Sequence, residues 1–458
     1  MIRRSTNRKP PRLNIEIRQG AAANRYAAAL YYVPAAPLPV STGPLRYSCT
    51  AAGISKHINW AYYKIAVLQA PRQAETRTGG APACPITQDI RDGTLENGIT
   101  NRQLFFIIIT SAIGFSSTTL PQGILREAGT GTWVTLCIGA LFFSLDILII
   151  AYLGNVYRGK SLFEYSEVLV GNFVARCFAA LYAVYFIVLL SLTIRVSADI
   201  IKAEILYKTP IAATMLLITA ISLYAALKGL TNIGRLVEFL GTIILGIGIV
   251  LYLTAFKQGN ILNIMPLFES SQIGTYFKAV PSTIFVFLGF EVITMMPFTK
   301  ANGKKALRTA VLGIWVLCFF MILIIEACCA VLGIDDIVNY NYPLIVTIRR
   351  LDIINLEFAK RLDLFFILIW LLSIFCAITM LIFVAKEYTR RLIKKAGNPI
   401  PSAIICGVAC IAGLSVQNAA KVSDFFIAFA TYGGLIAAFL IPFFLFIVHC
   451  VRKALNKR

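Results

Sequence analysis

From Leu104 to Val448 the chain alternates long apolar runs with short polar loops. The pattern resolves into ten segments: Leu104–Leu125, Trp133–Leu153, Val174–Ile194, Ile211–Leu227, Leu236–Phe256, Ala279–Pro297, Ala310–Leu332, Leu364–Val384, Ile400–Val416 and Phe425–Val448. Each comes near the roughly 20 apolar residues that a helix needs to cross about 30 Å of hydrocarbon. This predicts an all-α integral membrane protein with ten transmembrane helices, numbered as spans one to ten in chain order. Two of the spans are interrupted. Span one breaks into Gly114-Phe115-Ser116-Ser117-Thr118-Thr119-Leu120-Pro121, and span six carries Gly289-Phe290-Glu291 near its middle. Gly114 and Gly289 lie at matching depths in their segments. A helix broken inside the bilayer must re-satisfy its freed backbone groups against protein, water or ligand, because hydrocarbon offers no partner. Paired interruptions at corresponding places in two halves mark a transporter-type binding site. Ten spans divide as five plus five, and an odd number per repeat inverts the second copy. Spans one and six are then antiparallel around a pseudo-two-fold at the midplane.

Composition supports this reading: the chain is 58% hydrophobic and 14% charged, with a mean hydropathy of +0.75. The formal charge of +21 does not indicate nucleic acid, because the basic residues fall in alternate loops. Arg158 and Lys160, Lys228 and Arg235, Lys300 to Arg308, Lys386 to Lys395, and Arg452 to Arg458 share one side. The loop from Asp335 to Asp363 on the other side mixes bases with acids. The positive-inside rule then places both termini in the cytoplasm, and an even number of spans requires them to share a side.

Residues 1–94 differ from residues 95–458. They hold nine of the 18 prolines and 13 of the 43 Lys and Arg, without an uninterrupted apolar run long enough to span. A disordered basic arm for anionic lipid or nucleic acid is one reading. The favoured one is a start placed upstream of the native one. Leu95-Glu96-Asn97-Gly98-Ile99-Thr100-Asn101-Arg102-Gln103 resembles a short polar bacterial N-terminus, and a leucine codon such as TTG can initiate translation.

Most of the eleven cysteines sit within apolar spans, where Cys behaves as a small apolar residue, and they form no CxxC. The two histidines, His57 and His449, are far apart. No catalytic triad, phosphate loop or metalloprotease helix is evident, so the chain reads as a non-enzyme without metal or cofactor. The candidate site lies at the breaks. Ser116, Ser117, Thr118 and Thr119 offer four hydroxyls between Gly114 and Pro121, and amides at a half-helix end there suit a carboxylate. A Pro-kinked helix with Ser/Thr bonded back to its own carbonyls fits the same residues. Glu291 is the sharpest single residue, because a carboxylate midway along a span is costly and faces a cavity or a partner. It suits an ammonium group, a coupling proton or a structural Arg. Asp146, Glu238 and Glu326 are read as structural hydrogen-bonding groups, and Arg195 with Asp199 as an interfacial i,i+4 pair. Phe287 and Phe290 join the site beside the span six break, with Tyr182 of span three and Trp370 of span eight as outlying members.

Four stretches carry a resemblance: Asn101-Arg102-Gln103, Phe287-Leu288-Gly289-Phe290-Glu291-Val292, Tyr342-Pro343-Leu344-Ile345-Val346-Thr347-Ile348-Arg349-Arg350, and Lys360-Arg361-Leu362-Asp363-Leu364-Phe365-Phe366-Ile367-Leu368-Ile369-Trp370. In this order, over about four-fifths of the chain, they resemble the endospore germination permeases. These are the B subunits of GerA-type germinant receptors, a branch of the amino acid–polyamine–organocation superfamily. The resemblance implies a LeuT-like fold, the inner membrane of a spore, and assembly with A and C receptor subunits. The resulting expectation is a sensor that binds a small nutrient such as an amino acid at the midplane. An ion-coupled amino acid permease and a scaffold with a vestigial pocket are the alternatives.

Overall fold

A computed structural model describes residues 99–116, 120–298, 303–337, 339–340, 342–351, 362–393, 399–415 and 419–455. The reading of residues 1–94 therefore lies outside the described residues. All regular structure among the described residues is helical. Six helices are long and apolar enough to cross a membrane: Ile124–Val156, Asn172–Glu204, Leu230–Gln258, Lys305–Leu332, Asp363–Leu392 and Phe425–Leu455. Ile211–Leu227 and Pro401–Ser415 are apolar but shorter. They fall on spans four and nine, and the six long helices cover spans two, three, five, seven, eight and ten.

Span six is interrupted, and in span one residues 117–119 lie outside the described residues. In span one a helix from Asn101 to Ser116 is followed by a second from Leu120 to Ala128. The helix thus continues through Gly114 to Ser116, so Gly114 itself is not a point of interruption as expected; residues Ser117 to Thr119 of the expected break lie outside the described residues. Gly114 is helical because it is a packing position. A Cβ there would stand 2.7 Å from Ala377 Cβ and 2.9 Å from the Ser373 carbonyl oxygen, so span one lies almost backbone to backbone on span eight. Without a hydrophobic force between helices in lipid, such small-residue contacts are what brings them together. Span six breaks at the glycine picked out from the sequence. A 3-10 turn, Val280–Thr283, leads into one helical turn, Ile284–Phe287. Leu288 is extended, and Gly289 has φ +110° and ψ −26°; a second 3-10 stretch follows over Phe290–Met295.

Spans five, seven and eight pack around span one, and span three lies along span eight. Of the apolar window of span eight, 78% is buried within the protein, against 33% for span five, so span eight is central and span five faces lipid. Span three runs ten residues past the end of its apolar run, reaching Glu204. Its charged end stays inside the bundle, because Arg195 Nε meets Asp199 Oδ2 at 3.0 Å while Nη1 donates to the Gly413 carbonyl of span nine at 3.1 Å. The expected i,i+4 pair is present, and at 6% exposure Arg195 is also a buried tie between spans. Glu238 pairs with Arg102 at 2.9 Å and so ties span five to span one, in keeping with a structural role.

Candidate functional site

The site is organised by the closest approach of spans one and six. A Cβ on Gly289 would lie 2.8 Å from the Ser111 carbonyl carbon and 2.9 Å from the Ala112 nitrogen. Only a residue without Cβ permits this contact, and only glycine adopts a φ of +110° without strain. The break exposes the Gly289 amide, and Glu291 covers it. Its Oε2 accepts from Gly289 N at 2.6 Å, and its Oε1 accepts from the Tyr185 hydroxyl at 2.8 Å. Glu291 is fully buried. The carboxylate expected to wait for a ligand therefore also holds the broken backbone, one oxygen on the chain itself and the other on span three.

Two hydroxyl links continue outward. Thr294 donates to the Glu291 carbonyl at 2.7 Å and shares a 2.9 Å hydrogen bond with the Tyr388 hydroxyl of span eight. The Tyr388 ring stacks on Tyr182 with centroids 4.8 Å apart. The Tyr182 hydroxyl donates to the carbonyl of Ala437, which lies in a π-helical stretch of span ten, Leu435–Leu440. Such bulges shift the i→i−4 ladder and leave carbonyls available to side chains. On the other side of the break, Phe143 of span two stacks on Phe287 at 4.9 Å and meets Phe290 edge-on at 5.6 Å.

Of the site residues chosen from the sequence, Phe287, Gly289, Phe290, Glu291 and Tyr182 thus belong to one connected cluster. Gly114 sits nearby as a contact with span eight. Trp370 is buried, but its indole Nε1 has no hydrogen-bond partner among the described residues and no polar contact ties it to Glu291. Ser116 closes the first helix; its side chain and residues Ser117, Thr118 and Thr119 lie outside the described residues. The sequence pattern does not single out Tyr185, Thr294, Tyr388, Phe143 or Ser111. Tyr185 carries a usable signal, since it lies one turn from Tyr182 on the same helix.

Asp146 corrects its expected role. Expected as a structural hydrogen-bonding group, it lies well inside Thr132–Val156, is 2% exposed, and neither carboxylate oxygen has a hydrogen-bond partner among the described residues. Below the cluster, a cavity of about 430 Å³ is lined by Met295 and Pro297 together with Glu164, Lys386, Arg390 and Arg391. Its three basic residues all lie on the last two turns of the span eight helix, Leu362–Leu392.

Comparison with known proteins decides the family. The family model described as spore germination protein matches residues 98–422. The chain belongs to the spore germination protein family. Among its relatives, spore germination protein KB of Bacillus subtilis (strain 168) is 26% identical over 362 residues, which cover 78% of this chain and 95% of the relative. Spore germination protein A2 of the same strain is 23% identical, covering 77% and 95%. YndE, a third from that strain, is 24% identical, covering 65% and 82%. Among solved structures, MhsT in complex with L-phenylalanine aligns at TM-score 0.55 and 13% identity, covering 76% of this chain and 97% of MhsT. Mhp1, a nucleobase-cation-symport-1 family transporter in a closed conformation with bromovinylhydantoin bound, aligns at 0.54, also at 13% identity, covering 75% of this chain and 77% of Mhp1. These likenesses establish a multi-pass membrane protein with the LeuT-type transporter fold for this member of the spore germination family.

Proposed function

We propose that this protein is the nutrient-sensing, membrane-embedded subunit of a spore germination receptor, binding a small germinant of the amino acid class where spans one and six cross. The observation that carries this reading is the seating of Gly289 on the Ser111–Ala112 backbone with a buried carboxylate at the break. Broken backbone and buried charge are retained at bilayer depth where they serve a ligand. Family membership supplies germination as the process. The solved relatives of this fold carry small organic ligands, phenylalanine in one and a hydantoin in the other. The reading further places the protein in the spore inner membrane with both termini cytoplasmic, in contact with membrane lipid and with A- and C-type receptor subunits. A nutrient drives such a switch only through differential affinity for two packings of the bundle.

Glu291→Gln tests the site. It keeps the shape and removes the charge, so it should shift the nutrient dose response of spores strongly at near-normal protein level. A normal response together with scarce protein would make Glu291 a packing residue and send the search for the pocket elsewhere. A second reading, an ion-coupled amino acid permease, is favoured by the transporter fold itself. Radiolabelled uptake into vesicles separates the two, since saturable uptake by this chain alone belongs to the permease.

A further inference from the structure

The least satisfied charged group in the described part of the molecule is Asp146. A carboxylate has about four lone-pair directions to fill, and a buried polar group left bare costs several kcal/mol in hydrocarbon-like surroundings. Neither oxygen of Asp146 has a hydrogen-bond partner among the described residues, and the residue is 2% exposed. Its direction follows from its helix. Asp146 is three residues beyond Phe143 and so shares its face, and Phe143 packs on Phe287 and Phe290 at either side of the span six break. Glu291 and Tyr182 are within electrostatic reach of it. A second orphan lies at the same crossing, since the hydroxyl of Ser111 is fully buried and has no hydrogen-bond partner among the described residues.

Positive charge to balance these acids is missing among the described residues. Neither Asp146 nor Glu291 forms an ion pair there, and the buried Arg195 is committed to Asp199 and the Gly413 carbonyl. Glu291 is further along toward satisfaction, with one donor on each oxygen. A zwitterionic nutrient adds no net charge, so it leaves the pair of acids uncompensated unless a cationic centre is set against them. The described residues hold no cluster of three or more His, Cys, Asp and Glu of the kind that holds a divalent metal, which leaves a monovalent cationic centre as the partner for these acids.

We propose that Asp146 is the cation-recognising residue of the nutrient site, holding a monovalent cationic centre against the span six break. Two sources share this chemistry: the ammonium group of the nutrient, and an alkali metal ion bound beside it. The inference rests on the nutrient-binding reading above and assigns to Asp146 the contact with positive charge that hydropathy alone assigns to Glu291.

The test uses the full chain in detergent and reads its thermal unfolding. The probes are sodium and potassium chloride against choline chloride at constant ionic strength, and the twenty common amino acids one at a time, each against its deaminated carboxylic acid. The wild type should show a saturable rise in melting temperature with an alkali ion or with at least one amino acid but not its deaminated form. Asp146→Asn should raise the half-saturating concentration by about thirtyfold or more, the low end of what losing one partner of a buried charge pair costs. Asp146→Glu should retain part of the response. A rise with alkali ions alone identifies the metal ion, and dependence on the amino group identifies the ammonium. An equal half-saturating concentration in wild type and Asp146→Asn overturns the proposal, as does a wild type that no cationic probe shifts. Spores separate this failure from that of the wider reading. A dose response lost in Ser111→Leu but unchanged in Asp146→Asn rejects the role of Asp146 and keeps the nutrient site. A response unchanged in Ser111→Leu, Glu291→Gln and Asp146→Asn alike, with protein present, rejects both.

Discussion

Gly289→Ala is the most demanding single perturbation of this architecture, because it adds one carbon where spans one and six touch. Two costs arise from the geometry. At φ +110° the backbone lies where L side chains are strained, which costs about 1–3 kcal/mol. The new Cβ would also stand 2.8 Å from the Ser111 carbonyl carbon and 2.9 Å from the Ala112 nitrogen. Both are backbone atoms of a packed helix, so no rotamer change relieves the overlap, and forcing the spans apart costs about 1–3 kcal/mol more. The expected loss is therefore about 2–6 kcal/mol, concentrated on the ligand site. Gly246→Ala is the matched control. It lies on the exposed face of span five with nothing within 4 Å of its added Cβ, and it should gain up to about 1 kcal/mol of helix propensity. Thermal melting of the detergent-solubilised proteins, with membrane protein level as a second readout, should separate the two clearly. If Gly289→Ala melts together with Gly246→Ala and the wild type, the tight crossing of spans one and six is wrong and the site built on it fails.

Glu291→Ala should be much less stable than Glu291→Gln, because it strands both the Gly289 amide and the Tyr185 hydroxyl, each at about 1–3 kcal/mol, whereas the carboxamide can still serve both; equal melting points would show that the staple carries no weight. Arg195→Ala should cost about 3–5 kcal/mol by leaving Asp199 without its partner, and the Arg195→Ala/Asp199→Ala double variant should cost less than the sum of the single ones; additive losses measured by melting would contradict the pair. Lys160→Cys, in a background lacking Cys49, Cys84 and the exposed Cys177 and Cys450, should react with an impermeant thiol reagent only from the cytoplasmic side, and labelling from outside would invert the assigned topology.

Much of this architecture was legible in one dimension. A bilayer sorts residues by depth, so apolar run length alone located the long helices. Gly289 beside Glu291 in an otherwise apolar run marked the span six break, because the combination of a helix-weakening residue and a buried charge has few other uses at that depth. The family resemblance was likewise carried by short ordered stretches. What hydropathy does not contain is azimuth, the direction in which a helical residue points. That direction is set by which neighbour each face packs on. Gly114 looks in sequence like the start of a break and is in the fold a contact with Ser373 and Ala377, because its helix continues and span eight needs the space. Span three is longer than its apolar run, since charged Arg195 and Asp199 end that run yet are neutralised inside the bundle by each other and by a carbonyl of span nine. Asp146 shows the same limit most sharply. In the sequence it is one acid among several; only packing buried it without a partner among the described residues, while Glu238 found Arg102 and Glu291 found Gly289 and Tyr185. Depth comes from the solvent and is written along the chain, whereas the partner of each buried charge is decided by side chains distant in sequence that only the folded bundle brings together.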